Sequence, residues 1–306
     1  MDGGIDDALA LILALRSPEL DVAGITAVSG NVPVEQAATN ALRVVELLDR
    51  KDVWVAMGLA NPLVRDPIRA TDFHGKDGLG DSNLPRPRLR PRAESALSLT
   101  KEEAEEAGRK GLSIIATGPL TNVAAVFAEE PEIARRLDDL VIMGGAYGLT
   151  EYGFGNETPV AEFNIYSDPE AAKLVFESGV SLKCVGLDVT MIPDAHLLPH
   201  DYARIREGET GPSQFAFRIL ARAMRRGKRF ALHDPMAVAV KVRPSLFKFK
   251  ELSCQVETKG EHTTGMTVSD RRDRLSEELA GQRVAVCNNA KVKGFKQLFL
   301  TRLMHR

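Results

Sequence analysis

Short runs of Val, Ile and Leu alternate with stretches of helical period along most of this 306-residue chain. The apolar runs fall at 22–29, 53–57, 112–117, 140–143 and 182–187, most of them bounded by Gly, Asp or Asn. Runs this continuous suit strands covered on both faces, since a strand with one wet face would alternate polar and apolar residues. Helices are expected at 6–15, 34–48, 100–110, 121–128, 169–178 and 213–226. Strand and helix in succession predict an α/β fold: a doubly wound, mostly parallel sheet flanked by helices, with right-handed crossovers. After Val256 the pattern turns to short strands and turns and ends in a helix near 292–303, so that 1–306 reads as one domain. Ligands of such folds bind beyond the carboxyl ends of the strands.

Bulk chemistry removes several function classes. A formal net charge of −2 and a pI near 6.3 argue against a nucleic-acid-binding surface, though not against a small ligand. Cys184, Cys254 and Cys287 are far apart and odd in number, which fits reduced thiols in a cytoplasmic protein and not a disulfide framework or zinc pair. No membrane partner is expected. The apolar stretch 8–15 is too short to span, and aspartates precede it where a signal peptide would carry positive charge. The Pro- and Arg-rich run at 85–92 reads as an exposed loop.

Acidic and polar clusters carry the chemistry. Asp2-Gly3-Gly4-Ile5-Asp6-Asp7 opens the chain. A helix start explains Asp6 and Asp7, whose charges meet the positive end of the macrodipole. Asp2 lies across a glycine pair that can turn the backbone sharply, and three carboxylates converging on one point need a cation between them. Ligands that are all oxygen favour a hard ion, calcium or magnesium, over zinc. Far downstream, His233-Asp234 offers a further carboxylate beside an imidazole, which titrates near neutral pH and can serve a leaving group; alone, it is equally a hydrogen-bonded core pair. Asn156, Glu162 and Asn164 supply the donors and acceptors that a polyhydroxylated sugar requires, or else cap turns. Thr117 and Asn31 follow expected strand ends, Met143 precedes a glycine pair, and His74 opens a glycine-rich loop at 74–80 that can close over a pocket.

Together the segments GIDDALAL, Gly30-Asn31, HGKDGLG, TGPLTN, VIMGGAYG, NETPVAEFN with SDPEAA, and LHDPMAVAV resemble, in order and spacing, the nucleoside hydrolases of the inosine–uridine-preferring type. The resemblance implies hydrolysis of the N-glycosidic bond of ribonucleosides to ribose and free base, in nucleoside salvage. It implies one calcium ion held by Asp2, Asp7, Asp234 and the Thr117 carbonyl. Asp2 would act as general base on a calcium-bound water, and Asp6 would bind the ribose 2′-hydroxyl. Asn31, Asn156, Glu162 and Asn164 would hold other ribose oxygens, with Met143 lining the pocket. His233 would protonate or orient the departing base, with His74 near it. A small-molecule ribonucleoside is the expected partner, and a homodimer or homotetramer the expected assembly.

The chain also departs from that pattern. Family members usually open on an apolar strand ending in Asp-x-Asp-Pro-Gly. Here the first strand is missing, Gly3 replaces the proline, and Met1 stands between the positions of the two aspartates. The expectation is a truncated or misassigned start; the alternative is a shortened, inactive relative that binds nucleosides or ribose. The stretch 215–229, which usually senses the base, carries Arg222, Arg225 and Arg226 and no tyrosine. An aspartate-nucleophile phosphatase is a third reading. It requires a phosphate-binding lysine, for which the sequence offers no convincing candidate.

Overall fold

Each apolar run expected to form a strand does so, four of them trimmed at their ends and the run at 140–143 extended by one residue to Asp139. In the computed structural model, which describes residues 1–227, 229–272 and 282–305, these are β1 (Gly24–Ala27), β2 (Trp54–Met57), β3 (Ser113–Ala116), β4 (Asp139–Met143) and β5 (Leu182–Val185). Position 228, inside the 215–229 stretch, lies outside the described residues. The C-terminal part adds β6 (Phe247–Val256), β7 (Thr267–Asp270) and β8 (Gln282–Ala290). β6 escaped the sequence reading because its lysines and glutamate interrupt the apolar pattern. It is antiparallel to both neighbours, and its burial alternates irregularly.

The strands form a two-stranded sheet, β1-β2, and a six-stranded sheet in the order β3-β4-β5-β8-β6-β7. β1 and β2 are parallel, as are β3, β4, β5 and β8. The arrangement is the mostly parallel sheet flanked by helices that the sequence pattern predicts. β4 is buried along its whole length, as a central parallel strand covered on both faces should be.

Expected helices form with shifted ends. The first is Ile5–Leu15, apolar on nearly every side and buried accordingly. The helix expected at 100–110 starts earlier, as Ala96–Ala107, because the Ser95 hydroxyl caps it by accepting from the Ser98 N–H at 3.1 Å; Gly108–Lys110 is a 3₁₀ turn. The run 182–187 is strand only to Val185. Gly186 then opens a short helix, Leu187–Thr190. Helices Phe163–Ser167 and His233–Val242 were not anticipated as such. Residues 85–92 form no helix or strand, as their composition predicts. Among the described residues no helix is long and apolar enough to cross a membrane.

Asn122 straps the two sheets together at their carboxyl ends. Its Nδ2 donates to the Ala27 carbonyl at 2.9 Å, and its Oδ1 accepts from the Leu59 N–H at 2.9 Å. Asp168 does similar work beside it, accepting from Thr121 Oγ1 at 2.7 Å, the Leu63 N–H at 2.9 Å and the Ala171 N–H at 3.0 Å.

Candidate active site

Loops leaving the carboxyl ends of β1, β3, β4 and β5 meet the amino ends of helices Ile5–Leu15 and His233–Val242. Asp6 and Asp7 lie in the first turn of the former, and Asp234 in the first turn of the latter. Both helix dipoles thus offer their positive ends to buried carboxylates. One oxygen from each of Asp6, Asp7 and Asp234 falls within 4.8 Å of the others, and all three residues are buried.

The glycine pair allows this convergence. Gly3 has φ +85°, a conformation that side chains rarely adopt, and a Cβ there would come within 2.6 Å of Ala37 Cα. At Gly4 a Cβ would sit 2.6 Å from Asn31 Nδ2 and 3.0 Å from Asp6 Oδ1. Asn40 fixes the turn from outside, donating from Nδ2 to the carbonyls of Gly3 (2.8 Å) and Asp77 (2.9 Å).

Asp7 is held by the Gly4 N–H on Oδ2 (2.8 Å) and by Thr117 Oγ1 on Oδ1 (2.8 Å). Asp2, fully buried, accepts from the Asn31 N–H at 2.7 Å and from Asn31 Nδ2 at 2.9 Å. Its own N–H donates to Asp7 Oδ1 at 3.3 Å. Asp2 therefore adjoins the carboxylate trio without being one of its three mutually close members. Asp6 Oδ1 is buried with no hydrogen-bond partner.

Burial, with repulsion from Asp7 behind it, pushes the Asp6 carboxyl up to about 8. Asp2 and Asp234 are held well above the usual carboxylate range, again by burial first and by neighbouring carboxylates second. A divalent cation among these oxygens would restore the charged forms. The unpartnered Asp6 oxygen and the all-oxygen donor set both fit a hard ion.

The His74 imidazole borders the carboxylate trio, with Nδ1 3.9 Å from Asp6 Oδ1. The Ile5 N–H donates to His74 Nδ1 at 3.1 Å, which places the His74 proton on Nε2. Burial lowers His74 to about 4. Burial, and after it the nearby His196, lowers His233 to about 3. Both rings are neutral near pH 7. His233 Nδ1 lies 2.8 Å from Thr190 Oγ1, a partner that no sequence motif announces. If the hydroxyl hydrogen is assigned to Nδ1, the buried hydroxyl has an acceptor and Nε2 carries the ring proton.

The proposed sugar ligands divide. Asn31 reaches the cluster through Asp2. Asn164 is buried, and its Nδ2 donates to the Met143 carbonyl at 3.1 Å. Glu162 is buried too, but its carboxylate accepts from the Asn164 N–H (2.9 Å), the Gly145 N–H (3.0 Å) and the Ile165 N–H (3.1 Å), capping the helix Phe163–Ser167. Asn156 is exposed, and its Oδ1 accepts from the Phe163 N–H at 3.0 Å. The structure does not bring Asn156 into the cluster. The glycine-rich loop after His74 is tied down by Asp77, which accepts from the N–H groups of Leu79, Asp81 and Ser82. Arg222 is similarly engaged, pairing with Asp81 and donating to the Asp72 carbonyl.

The described cysteines are all free and buried, as their spacing predicts. Known proteins match across nearly the whole chain. The family model for inosine-uridine preferring nucleoside hydrolases matches residues 1–297. The chain is 42% identical over 276 residues to a pyrimidine-specific ribonucleoside hydrolase, RihA, of Klebsiella pneumoniae, covering 88% of this chain and 86% of that protein. A purine-preferring ribonucleoside hydrolase from Gardnerella vaginalis superposes with a TM-score of 0.87 at 33% identity, covering 99% of this chain and 96% of that one. A plant nucleoside hydrolase, PpNRh1, superposes with a TM-score of 0.91 at 29% identity, covering 100% and 98%. Motif order, the carboxylate trio and these matches agree, and the chain belongs to the inosine–uridine-preferring nucleoside hydrolases.

Proposed function

We propose that this ribonucleoside hydrolase uses calcium and prefers pyrimidine ribonucleosides. The observation that carries the metal half is the buried convergence of Asp6, Asp7 and Asp234 around an oxygen with no partner. Asp2, Asp7, Asp234 and the Thr117 carbonyl would hold the ion, with Asp6 beside them. When bound, the ion supplies a lowered pKa for attacking water and an anchor for the ribose hydroxyls.

The protein groups do the rest. Breaking the C–N bond develops positive charge on the sugar, which the surrounding carboxylates stabilise. Asp2, steadied by Asn31, accepts the proton of the attacking water. Asp6, Asn31 and Asn164 bind ribose oxygens, and Met143 lines the pocket. His233, with Nδ1 occupied by Thr190, directs Nε2–H at the departing base. His74 presents its own Nε2–H near the same place. The pyrimidine preference is supported by the 42% identity to RihA, against 33% to the purine-preferring enzyme. A cytoplasmic salvage role and a homodimer or homotetramer belong to the same reading.

Assay of ribose release from uridine, cytidine and inosine, with calcium and with chelator, tests this. Faster turnover of uridine and cytidine, abolished by chelation, is expected. His233→Ala should lower kcat by about 10²-fold, the lower end of what general-acid assistance contributes. Nucleoside binding without ribose release overturns the reading, as does turnover indifferent to chelator.

A further inference from the structure

We propose that the cavity between helices Val34–Leu47 and Gly211–Gly227 is a second binding site, one that takes the phosphoryl group of a small anion. It has a volume of about 370 Å³ and shares no residue with the cluster of Asp6, Asp7 and Asp234. The first helix lends it Arg43, Glu46 and Leu47, and the second Gly211, Phe215 and Arg218. Positions three and four apart share a helix face, so each helix turns one face to the space. The Pro- and Arg-rich loop closes it with Leu84, Pro85, Arg86 and Pro87.

Charge in this cavity is unbalanced. The guanidiniums of Arg43, Arg86 and Arg218 meet a single carboxylate, that of Glu46. Glu46 is engaged in holding the loop, its Oε2 accepting from the N–H groups of Arg88 at 2.7 Å and Leu89 at 3.1 Å. Arg43 is half-buried, yet its acceptors are all neutral. Its Nε donates to the Pro85 carbonyl at 3.1 Å, Nη2 to the Leu84 carbonyl at 3.2 Å, and Nη1 to Asn40 Oδ1 at 2.7 Å. Arg218 donates to the Ser82 carbonyl at 3.2 Å. Among the described residues none of the three guanidiniums takes part in an ion pair. Burial holds Arg43 below its ordinary value; Asp77 raises it in part, and the neighbouring Arg86 lowers it again. Arg43 and Arg86 therefore repel each other, and an anion between them relieves both that repulsion and the cost of a half-buried charge.

The chemistry of the ligand follows from its hosts. A guanidinium is a planar fork that meets two oxygens of one phosphoryl group at once. Arg43 spends three of its five donors on the acceptors above and keeps the others. Gly211 opens a helix of 17 residues, so the positive end of a macrodipole lies at the cavity wall. Prolines 85 and 87 fix φ on either side of Arg86, which limits the ordering cost when Arg86 closes on a ligand. Leu47, Leu84 and Phe215 add apolar wall. The volume falls within the ~300–1,000 Å³ of small-molecule sites, leaving room for a sugar or base beside the phosphoryl group.

Titration calorimetry, with NMR shifts of the Arg86 and Gly211 amides, tests this on the full chain. The probes are inorganic phosphate, pseudouridine 5′-monophosphate and pseudouridine; the last two have a C–C glycosidic bond that an N-ribohydrolase leaves intact. Phosphate and the monophosphate should both bind and shift the two amides, and pseudouridine should not. Tighter binding of the monophosphate assigns the site to a phosphorylated nucleoside, and equal affinities assign it to free phosphate. Arg86→Glu and Arg218→Glu should each weaken binding at least about tenfold, and Arg86→Glu should leave uridine turnover unchanged. Arg90→Glu makes the same charge change on the same loop outside the cavity and should leave binding intact. Equal losses in all three variants would reduce the effect to bulk charge and overturn the proposal. Failure of both phosphorylated probes to bind, shifts confined to Asn31 and Asn164 at the active site, or a pseudouridine shift at Gly211 equal to that of its monophosphate also overturns it. Displacement of phosphate by tetraglutamate assigns the cavity to an acidic peptide and does the same.

Discussion

At the scale of single residues, the site joins groups that sequence motifs announce to groups that they do not. Asp6, Asp7, Asp234 and His233 were legible because each lies in a short run whose acids or imidazole have few structural reasons to be adjacent. Thr190 was not legible: in LDVTM the hydroxyl shares a short segment with an aspartate and three apolar residues, and its partner is 43 positions away in the chain. Its contact with His233 Nδ1 makes a specific claim. Thr190→Val keeps the volume and removes the hydroxyl at Nδ1, freeing the ring to rotate or change tautomer. It should lower kcat about tenfold, near the strength of one hydrogen bond of ~1–1.5 kcal/mol, with KM little changed. Thr190→Ser, which keeps the hydroxyl, should retain most of the activity. Steady-state kinetics on uridine distinguish the two; equal losses in both variants would reduce Thr190 to a packing residue.

At the scale of elements, the parallel strands were readable because each is a short, mainly apolar run bounded by turn-forming residues, although only β4 is buried along its whole length. What the sequence obscured were the short helices at the carboxyl ends of strands, where a capping side chain and not an apolar period decides the structure. Glu162 is the clearest case. Its place in NETPVAEFN suggests a sugar ligand, yet its carboxylate accepts three backbone N–H groups. Replacing it by alanine removes a helix cap, costing ~1 kcal/mol, and leaves buried donors such as that of Gly145 unsatisfied, at ~1–3 kcal/mol. Glu162→Ala should therefore lower the unfolding midpoint by roughly 5–10 °C, and do so without substrate present. A midpoint equal to that of the parent chain, with KM alone raised, would return Glu162 to the role its motif suggested.

At the scale of the whole molecule, the buried acids set how stability responds to pH and to metal. Asp6 has an ordinary carboxyl pKa near 3.8 when the chain is unfolded and about 8 in the metal-free fold, and Asp2 and Asp234 shift in the same direction. The folded state then binds more protons than the unfolded one, so stability falls as pH rises from the unfolded value through the folded value. His74 and His233 act oppositely. Their folded values, about 4 and about 3, lie below the ordinary 6.5, so their contribution is lost only as pH falls below about 6.5 and is constant above pH 7. The window from pH 7 to about 8 thus isolates the carboxylates, because the three buried thiols, pushed up from an ordinary value of 9.0, lower stability only as pH nears that value. In chelator, the unfolding midpoint should drop across it. With millimolar calcium the site is ionised whatever the pH, and the bound ion adds stability in proportion to the logarithm of its concentration over Kd. The slope should then flatten while the midpoint rises. Calorimetric scans at pH 7, 7.5 and 8, with and without calcium, measure both effects. A flat profile in chelator would mean that the acids are ionised without a cation, which their burial beside one another opposes.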